Sequence, residues 1–210
     1  MKILSHRGYW HDPSEKNTEL AFRRSFSLGF GTETDIRDSN GDLVISHDMP
    51  RGDEMRLDEF LGLAASYCDS APITLALNIK SDGLLDVLET ALQRYPQLDP
   101  FVFDMSIPDS RAYLNSPLPV YMRMSEEEPV AAWLSKAEGV WLDAFSSVWY
   151  DAGVINDLLA KNKQICIVSP ELHGRDAMDL WPLLEAFKHH HAVTLCTDIP
   201  EAAVDFFAGT

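Results

Sequence analysis

The chain has 210 residues, 46% hydrophobic and 24% charged, which suits one folded unit with a substantial core. Thirty-three acidic residues against 17 basic ones give a net charge of −16, which disfavours nucleic acid and anionic membranes as partners. No apolar run is long enough to insert stably in a bilayer, and Met1-Lys2 leads through Ile3-Leu4 straight to Ser5, leaving no room for a secretory apolar segment.

The first strand is predicted over residues 2–5, and it ends in Ser5-His6-Arg7-Gly8. A histidine and an arginine at a strand end, followed by glycine, suit an anion site: Arg7 can grip a phosphate with two prongs, and His6 exchanges a proton near neutral pH. A surface turn is the plainer alternative for these residues alone. A helix follows near 18–28, with Leu20, Phe22, Phe26 and Leu28 on its buried stripe and Gly29 as its stop.

The second strand, 32–37, carries Glu33-Thr34-Asp35. Carboxylates two apart on a strand point the same way. Two such charges on an inward face call for a cation between them, and oxygen ligands suit Mg²⁺ or Ca²⁺. A solvated strand face, or neutralisation by Arg37, is the alternative. Asn40-Gly41 marks a tight turn between Thr34–Arg37 and Leu43–Ser46, after which comes His47-Asp48. His47 there can protonate a leaving oxygen, with Asp48 orienting its ring.

A helix is predicted near 57–67 and a third strand over 73–79. In that strand Ile73, Leu75, Leu77 and Ile79 alternate with Thr74, Ala76, Asn78 and Lys80, so one set packs outward and the other places Asn78 and Lys80 near a C-terminal mouth. Helices near 83–95, 108–115, 127–137, 151–161, 175–190 and 200–207 separate strands over 101–105, 119–124, 139–144, 164–168 and 193–197. Pro96, Pro100, Pro117 and Pro119 punctuate the loops before 101–105 and 119–124. Arg123, at the end of its strand, is a candidate anion contact, with a surface ion pair as the alternative. Glu126-Glu127-Glu128 is expected to open the 127–137 helix. His189-His190-His191 is expected to close a helix rather than bind a metal, because consecutive helical side chains diverge.

Eight strands alternating with eight helices give a closed parallel (β/α)₈ TIM barrel, expected to span residues 1–210 as one domain. A doubly wound sheet is the alternative, but no Gly-x-Gly-x-x-Gly turn follows the first strand. Cys68, Cys166 and Cys196 are odd in number and widely spaced, as reduced thiols in a cytoplasmic protein would be.

In combination the fragments are more specific. Ser5–Trp10, Asn17–Phe22, Gly31–Ile36, Asn40-Gly41 and Val44–Asp48 follow one another in an order that resembles the glycerophosphodiester phosphodiesterase family, densely over residues 3–48. Leu57–Leu61, Asn78-Ile79-Lys80 and Thr197-Asp198-Ile199-Pro200 resemble later segments of that family. The resemblance implies a metal-dependent phosphodiesterase on this barrel, acting on a small glycerophosphodiester or related diester by attack of a neighbouring substrate hydroxyl. It implies Glu33, Asp35 and Asn78 as metal ligands, Arg7 and Lys80 as phosphate contacts, and His6 and His47 as the acid/base pair.

Three departures stand out. Asn78 replaces the family's third acidic ligand; Asp104, Asp143 and Glu171 lie at predicted strand ends that can reach the same mouth, with a structural hydrogen-bonding role as the alternative for Asp104 and Asp143. Only 30 residues separate His47 from Asn78, too few for the family's substrate-shaping insertion. Ser169–Arg175 replaces an aromatic motif and offers Glu171 and His173 as this chain's own substrate contacts, or else a polar loop capping the next helix. A barrel that binds a phosphorylated ligand without turnover, and a different metal-assisted lyase or hydrolase, are the alternatives.

Overall fold

The computed structural model describes residues 1–69 and 71–209. Among the described residues nine strands occur in chain order: β1 (Lys2–His6), β2 (Gly31–Ser39), β3 (Asp42–Ile45), β4 (Thr74–Ile79), β5 (Asp99–Phe103), β6 (Val120–Met124), β7 (Gly139–Leu142), β8 (Gln164–Val168) and β9 (Val193–Thr197). All but β3 run parallel. β1 pairs with both β2 and β9, so the eight parallel strands close into a TIM barrel. Seven α-helices among the described residues accompany them: α1 (Glu19–Ser27), α2 (Leu57–Ala65), α3 (Leu85–Leu92), α4 (Ile107–Tyr113), α5 (Ala152–Ala160), α6 (Trp181–Leu184) and α7 (Pro200–Ala208).

Alternation along the strands divides the molecule into two apolar layers. Leu75, Leu77 and Ile79 of β4 join the outer layer under the helices, with Phe22, Phe60, Leu88 and Ile155. Leu4, Ala76, Phe101, Phe103, Trp141, Cys166, Val168 and Cys196 fill the barrel interior. There the Phe103 and Trp141 rings stack at 3.8 Å and the Phe101 and Tyr121 rings at 3.9 Å. Above this packed floor the inward residues at the C-terminal mouth are polar, and below it Lys2, Thr74 and Asp99 form a second polar group at the N-terminal end.

Two glycines permit close approach at the first strands. A Cβ on Gly31 would lie 2.3 Å from the Thr74 carbonyl and 2.5 Å from Leu4 Cδ2. Gly8, at φ 81°, lets the loop after β1 lie against α1, where a Cβ would come within 2.7 Å of Ala21 Cβ. Thr18 caps α1 by accepting from the Ala21 N–H.

Three features differ from the sequence expectation. β3 adds an antiparallel strand to the end of β2 through the Asn40-Gly41 turn, extending that wall beyond the barrel. The helix expected over 127–137 does not form. Ser125 and Glu128 close a tight turn by exchanging both backbone hydrogen bonds, Pro129 disfavours helical backbone before it, and the Glu126 carboxylate accepts instead from the Phe145 and Ser146 N–H groups. The stretch 175–190 is broken into two 3₁₀ turns flanking α6, although Ala177, Leu180, Trp181, Leu184 and Phe187 still face the core.

Candidate active site

The site is built on the ends of β1, β2, β4 and β9. His6, the last residue of β1, places Nδ1 2.7 Å from Asp198 Oδ1 just beyond β9. A carboxylate in this position holds the imidazole proton on Nδ1 and leaves Nε2 as the working nitrogen. Nε2 lies 3.8 Å from Glu33 Oε2. Burial lowers the His6 pKa below its ordinary value, against the opposing pull of Asp198, so the neutral ring is favoured.

Glu33 and Asp35 point inward from β2, and both are buried. Two cations serve Asp35: Arg7 Nε stands 3.0 Å from Oδ2 and Lys80 Nζ 3.3 Å from Oδ1. Asn17 adds a side-chain N–H to Oδ2 at 2.9 Å while its own carbonyl oxygen accepts from the Thr34 hydroxyl at 2.8 Å. Arg7 and Asn17 both adopt left-handed backbone, at φ 59° and 60°, and the Asn17 N–H donates to the Arg7 carbonyl at 2.9 Å. Strained backbone at two adjoining positions is a mark of a site held in place by its surroundings. Glu33 has no cation of its own; burial, then the nearby Asp35 charge, raises its pKa well above the carboxylate range.

Three oxygens here, Glu33 Oε2, Asp35 Oδ1 and Asn78 Oδ1, are buried without a hydrogen-bond partner. Buried acceptors left unpaired are costly. Two carboxylate oxygens and one amide oxygen form a hard donor set, and they fit a divalent cation such as Mg²⁺ or Ca²⁺. Asn78 is inward on β4, paired in register with Asp35, as the alternation in its sequence requires. Among the described residues no group of three His, Cys, Asp or Glu side chains is arranged as a metal site, because the third position is the amide of Asn78.

His47 lies apart from this cluster, after β3. Its Nδ1 is 2.8 Å from Asp48 Oδ1, and the two side chains are 46% and 85% exposed, so the pair is open to solvent. His47 lines a cavity of about 700 Å³ with Arg7, Lys16, Asn17, Ser46 and Arg51. Arg7 and Asn17 are therefore shared between the buried carboxylates and this cavity. Lys16 is held 4.4 Å over the Trp10 ring. The cavity lining is mixed in charge, with Arg7, Lys16 and Arg51 beside Glu19, Asp48, Asp53, Glu54 and Glu59.

The opposite wall carries the other expected residues. Arg123, on β6, is bridged to Asp104 at 2.8 Å and Glu128 at 2.7 Å. His173 Nε2 is 2.7 Å from the buried Asp143 Oδ1 beyond β7, with the Phe145 ring edge-on at 5.1 Å. Glu171 is engaged by protein donors from Ser169, Thr197 and Asp198. The structure thus joins His6, Arg7, Glu33, Asp35, Asn78 and Lys80, links Glu171 to His6 through Asp198, and places His47, Arg123 and His173 in separate hydrogen-bonded groups. Asp198 and Asn17 are the residues that sequence reasoning missed. Both lay inside recognised segments, Thr197–Pro200 and Asn17–Phe22, yet their partners are 192 and 18 residues away.

No family model and no curated protein matches the sequence. Solved structures do match by shape. The glycerophosphodiester phosphodiesterase of Agrobacterium tumefaciens str. C58 superposes with a TM-score of 0.69 at 17% identity, over 100% of both chains. The glycerophosphoryl diester phosphodiesterase of Parabacteroides distasonis ATCC 8503 gives 0.68 at 13% identity, over 99% of this chain and 86% of its own. The Ca²⁺-dependent phosphatidylinositol-specific phospholipase C of Streptomyces antibioticus gives 0.65 at 10% identity, over 98% and 95%. The chain therefore has the barrel fold of these structures.

Proposed function

We propose that the protein is a divalent-cation-dependent phosphodiesterase that cleaves a small glycerophosphodiester or a related diester. The observation that carries this reading is the group at the mouth: an anchored histidine beside two buried carboxylates, two cations and three unpaired oxygens. The matches to glycerophosphodiester phosphodiesterases support it.

Arg7 and Lys80 shift from Asp35 towards the non-bridging phosphoryl oxygens, as charge-assisted hydrogen bonds. Neutral His6 accepts the proton of the attacking hydroxyl on Nε2, and Asp198 stabilises the resulting imidazolium through Nδ1. His47, across Arg7, returns a proton to the departing oxygen. Glu33, Asp35 and Asn78 would hold Mg²⁺ or Ca²⁺, which when bound withdraws charge from the phosphoryl group. A cytoplasmic setting belongs to the same reading, supported by three unpaired cysteines. So does the exclusion of nucleic acid and stable membrane insertion, supported by the charge of −16 and by the lack, among the described residues, of any helix long and apolar enough to cross a membrane.

Turnover of glycerol 4-nitrophenyl phosphate, a diester that keeps a hydroxyl next to the phosphate, with EDTA and with added Mg²⁺ or Ca²⁺, tests the reading. The parent should release nitrophenol only with the cation, and His6→Ala and His47→Ala should each lower kcat by about 10²-fold or more, the range for proton-transfer groups. No cation-dependent release, with both variants equal to the parent, would overturn it. One observation favours a second reading, a barrel that binds a phosphorylated ligand without turnover: Arg7 and Lys80 already balance Asp35, and Asn78 brings no charge. Saturable phosphate binding without release would decide for it.

A further inference from the structure

Glu171 stands just beyond β8 and reaches across to the end of β9. Its Oε1 accepts from the Thr197 hydroxyl at 2.5 Å and from the Asp198 backbone N–H at 3.1 Å. Its Oε2 accepts from the Ser169 hydroxyl, and Ser169 Oγ in turn accepts from the Trp181 indole N–H at 2.9 Å. The Thr197 hydroxyl also accepts from the Ile199 N–H at 3.1 Å. The carboxylate is thus fixed on the β8 side by Ser169 and on the β9 side by the residue that grips His6.

The local backbone serves the same arrangement. Pro170 to His173 form one 3₁₀ turn, which Gly174 ends at φ 73°. The turn places Glu171 over β9 rather than over the mouth. Asp198 is then held at two points: its N–H on Glu171 and its Oδ1 2.7 Å from His6 Nδ1. Both oxygens of Glu171 are occupied by these donors.

We propose that Glu171 is a positioning residue for the Asp198–His6 pair and does not contact substrate. It sets the rotation of Asp198 at the end of β9, and Asp198 sets the tautomer and aim of His6. Partners in such outer positions commonly matter to activity about 10–100-fold when removed. The assignment rests on the phosphodiesterase reading for its kinetic test, and on geometry alone for its spectroscopic one.

The experiment compares the parent, Glu171→Ala, Glu171→Gln and Thr197→Val, with glycerol 4-nitrophenyl phosphate and saturating cation. The His6 Nδ1 proton, bonded to a carboxylate, is followed by ¹H NMR as a downfield resonance. Glu171→Ala should lower kcat by about tenfold or more with KM within about twofold, and should broaden or remove the His6 signal. Glu171→Gln should restore both, because its amide oxygen still accepts from Thr197 and Asp198 while its N–H₂ can donate to Ser169. Thr197→Val, which removes one donor and leaves the carboxylate, should shift both readouts the same way by less; it decides the matter if Glu171→Ala does not fold. A raised KM at unchanged kcat would overturn the proposal in favour of a substrate contact. Parental kcat and an unmoved His6 signal in Glu171→Ala would overturn it too, as would a Glu171→Gln as impaired as Glu171→Ala. A parent that hydrolyses no diester would refute the phosphodiesterase reading, and the His6 signal would still decide the positioning claim.

Discussion

At Asn78 one side chain sets the charge of the mouth. Asp35 is balanced by Arg7 and Lys80, and Asn78 adds no charge to offset that of a bound cation. Asn78→Glu adds a third carboxylate oxygen at an inward, buried position, and ligand charge tunes affinity strongly in such sites. Calorimetry should show affinity for Ca²⁺ or Mg²⁺ raised by about tenfold or more; unchanged affinity would place Asn78 outside the ligand set. Glu33 supplies a second expectation. Its folded pKa is pushed up to about 8 from an ordinary value of 4.5, chiefly by burial. The folded state then holds a proton that the unfolded chain has lost, so this group's contribution is full below pH 4.5 and falls as pH rises towards 8. Urea unfolding in EDTA should show that decline in the parent and a flatter profile in Glu33→Gln; equal slopes would refute it. At this scale the sequence was informative where the chemistry is local. His6-Arg7 and Glu33-x-Asp35 were readable because strand alternation fixes their direction. Asp198 was not, because nothing in Thr197–Pro200 announces a partner at the other end of the chain.

Among the elements, the junction of β1 with α1 is the least forgiving. Gly8 combines a positive φ with contact against Ala21, and the same turn carries Arg7 towards Asp35. Gly8→Ala should cost roughly 2–4 kcal/mol, since overpacking and left-handed backbone are both unfavourable for alanine. Denaturant unfolding measures it, and a loss below about 0.5 kcal/mol, the range of neutral surface changes, would show that the turn relaxes. Most barrel strands were legible as short apolar runs between turn signals, β2 by its Glu33-x-Asp35 alternation instead, and β4 showed its two faces outright. The failures lie where side chains serve distant backbone. Three glutamates in a row look like a helix start, yet Glu126 binds the loop after β7 and Glu128 binds Arg123. β3 was visible only as a turn with a following run. Its role in lengthening the β2 wall comes from register with Ile36–Ser39, which sequence does not give.

Across the molecule, the barrel separates functions by depth: an aromatic floor, a polar layer at the strand ends, and loops above. Cys166 and Cys196 belong to the floor, fully buried among Leu4, Phe103 and Trp141, and burial raises both thiols well above their ordinary pKa. Cys68 lies at the end of α2, half-buried, with its Sγ 3.7 Å from the Ala64 carbonyl. The interior thiols therefore form a built-in stopwatch for the barrel. A thiol reagent such as 5,5′-dithiobis(2-nitrobenzoate) should modify Cys68 promptly and the other two only as fast as the strands part. Their rate should follow denaturant in step with global unfolding, so labelling separates a variant that disturbs the mouth from one that loosens the whole ring. Prompt reaction of all three thiols in native buffer would mean that the ring of strands opens without unfolding.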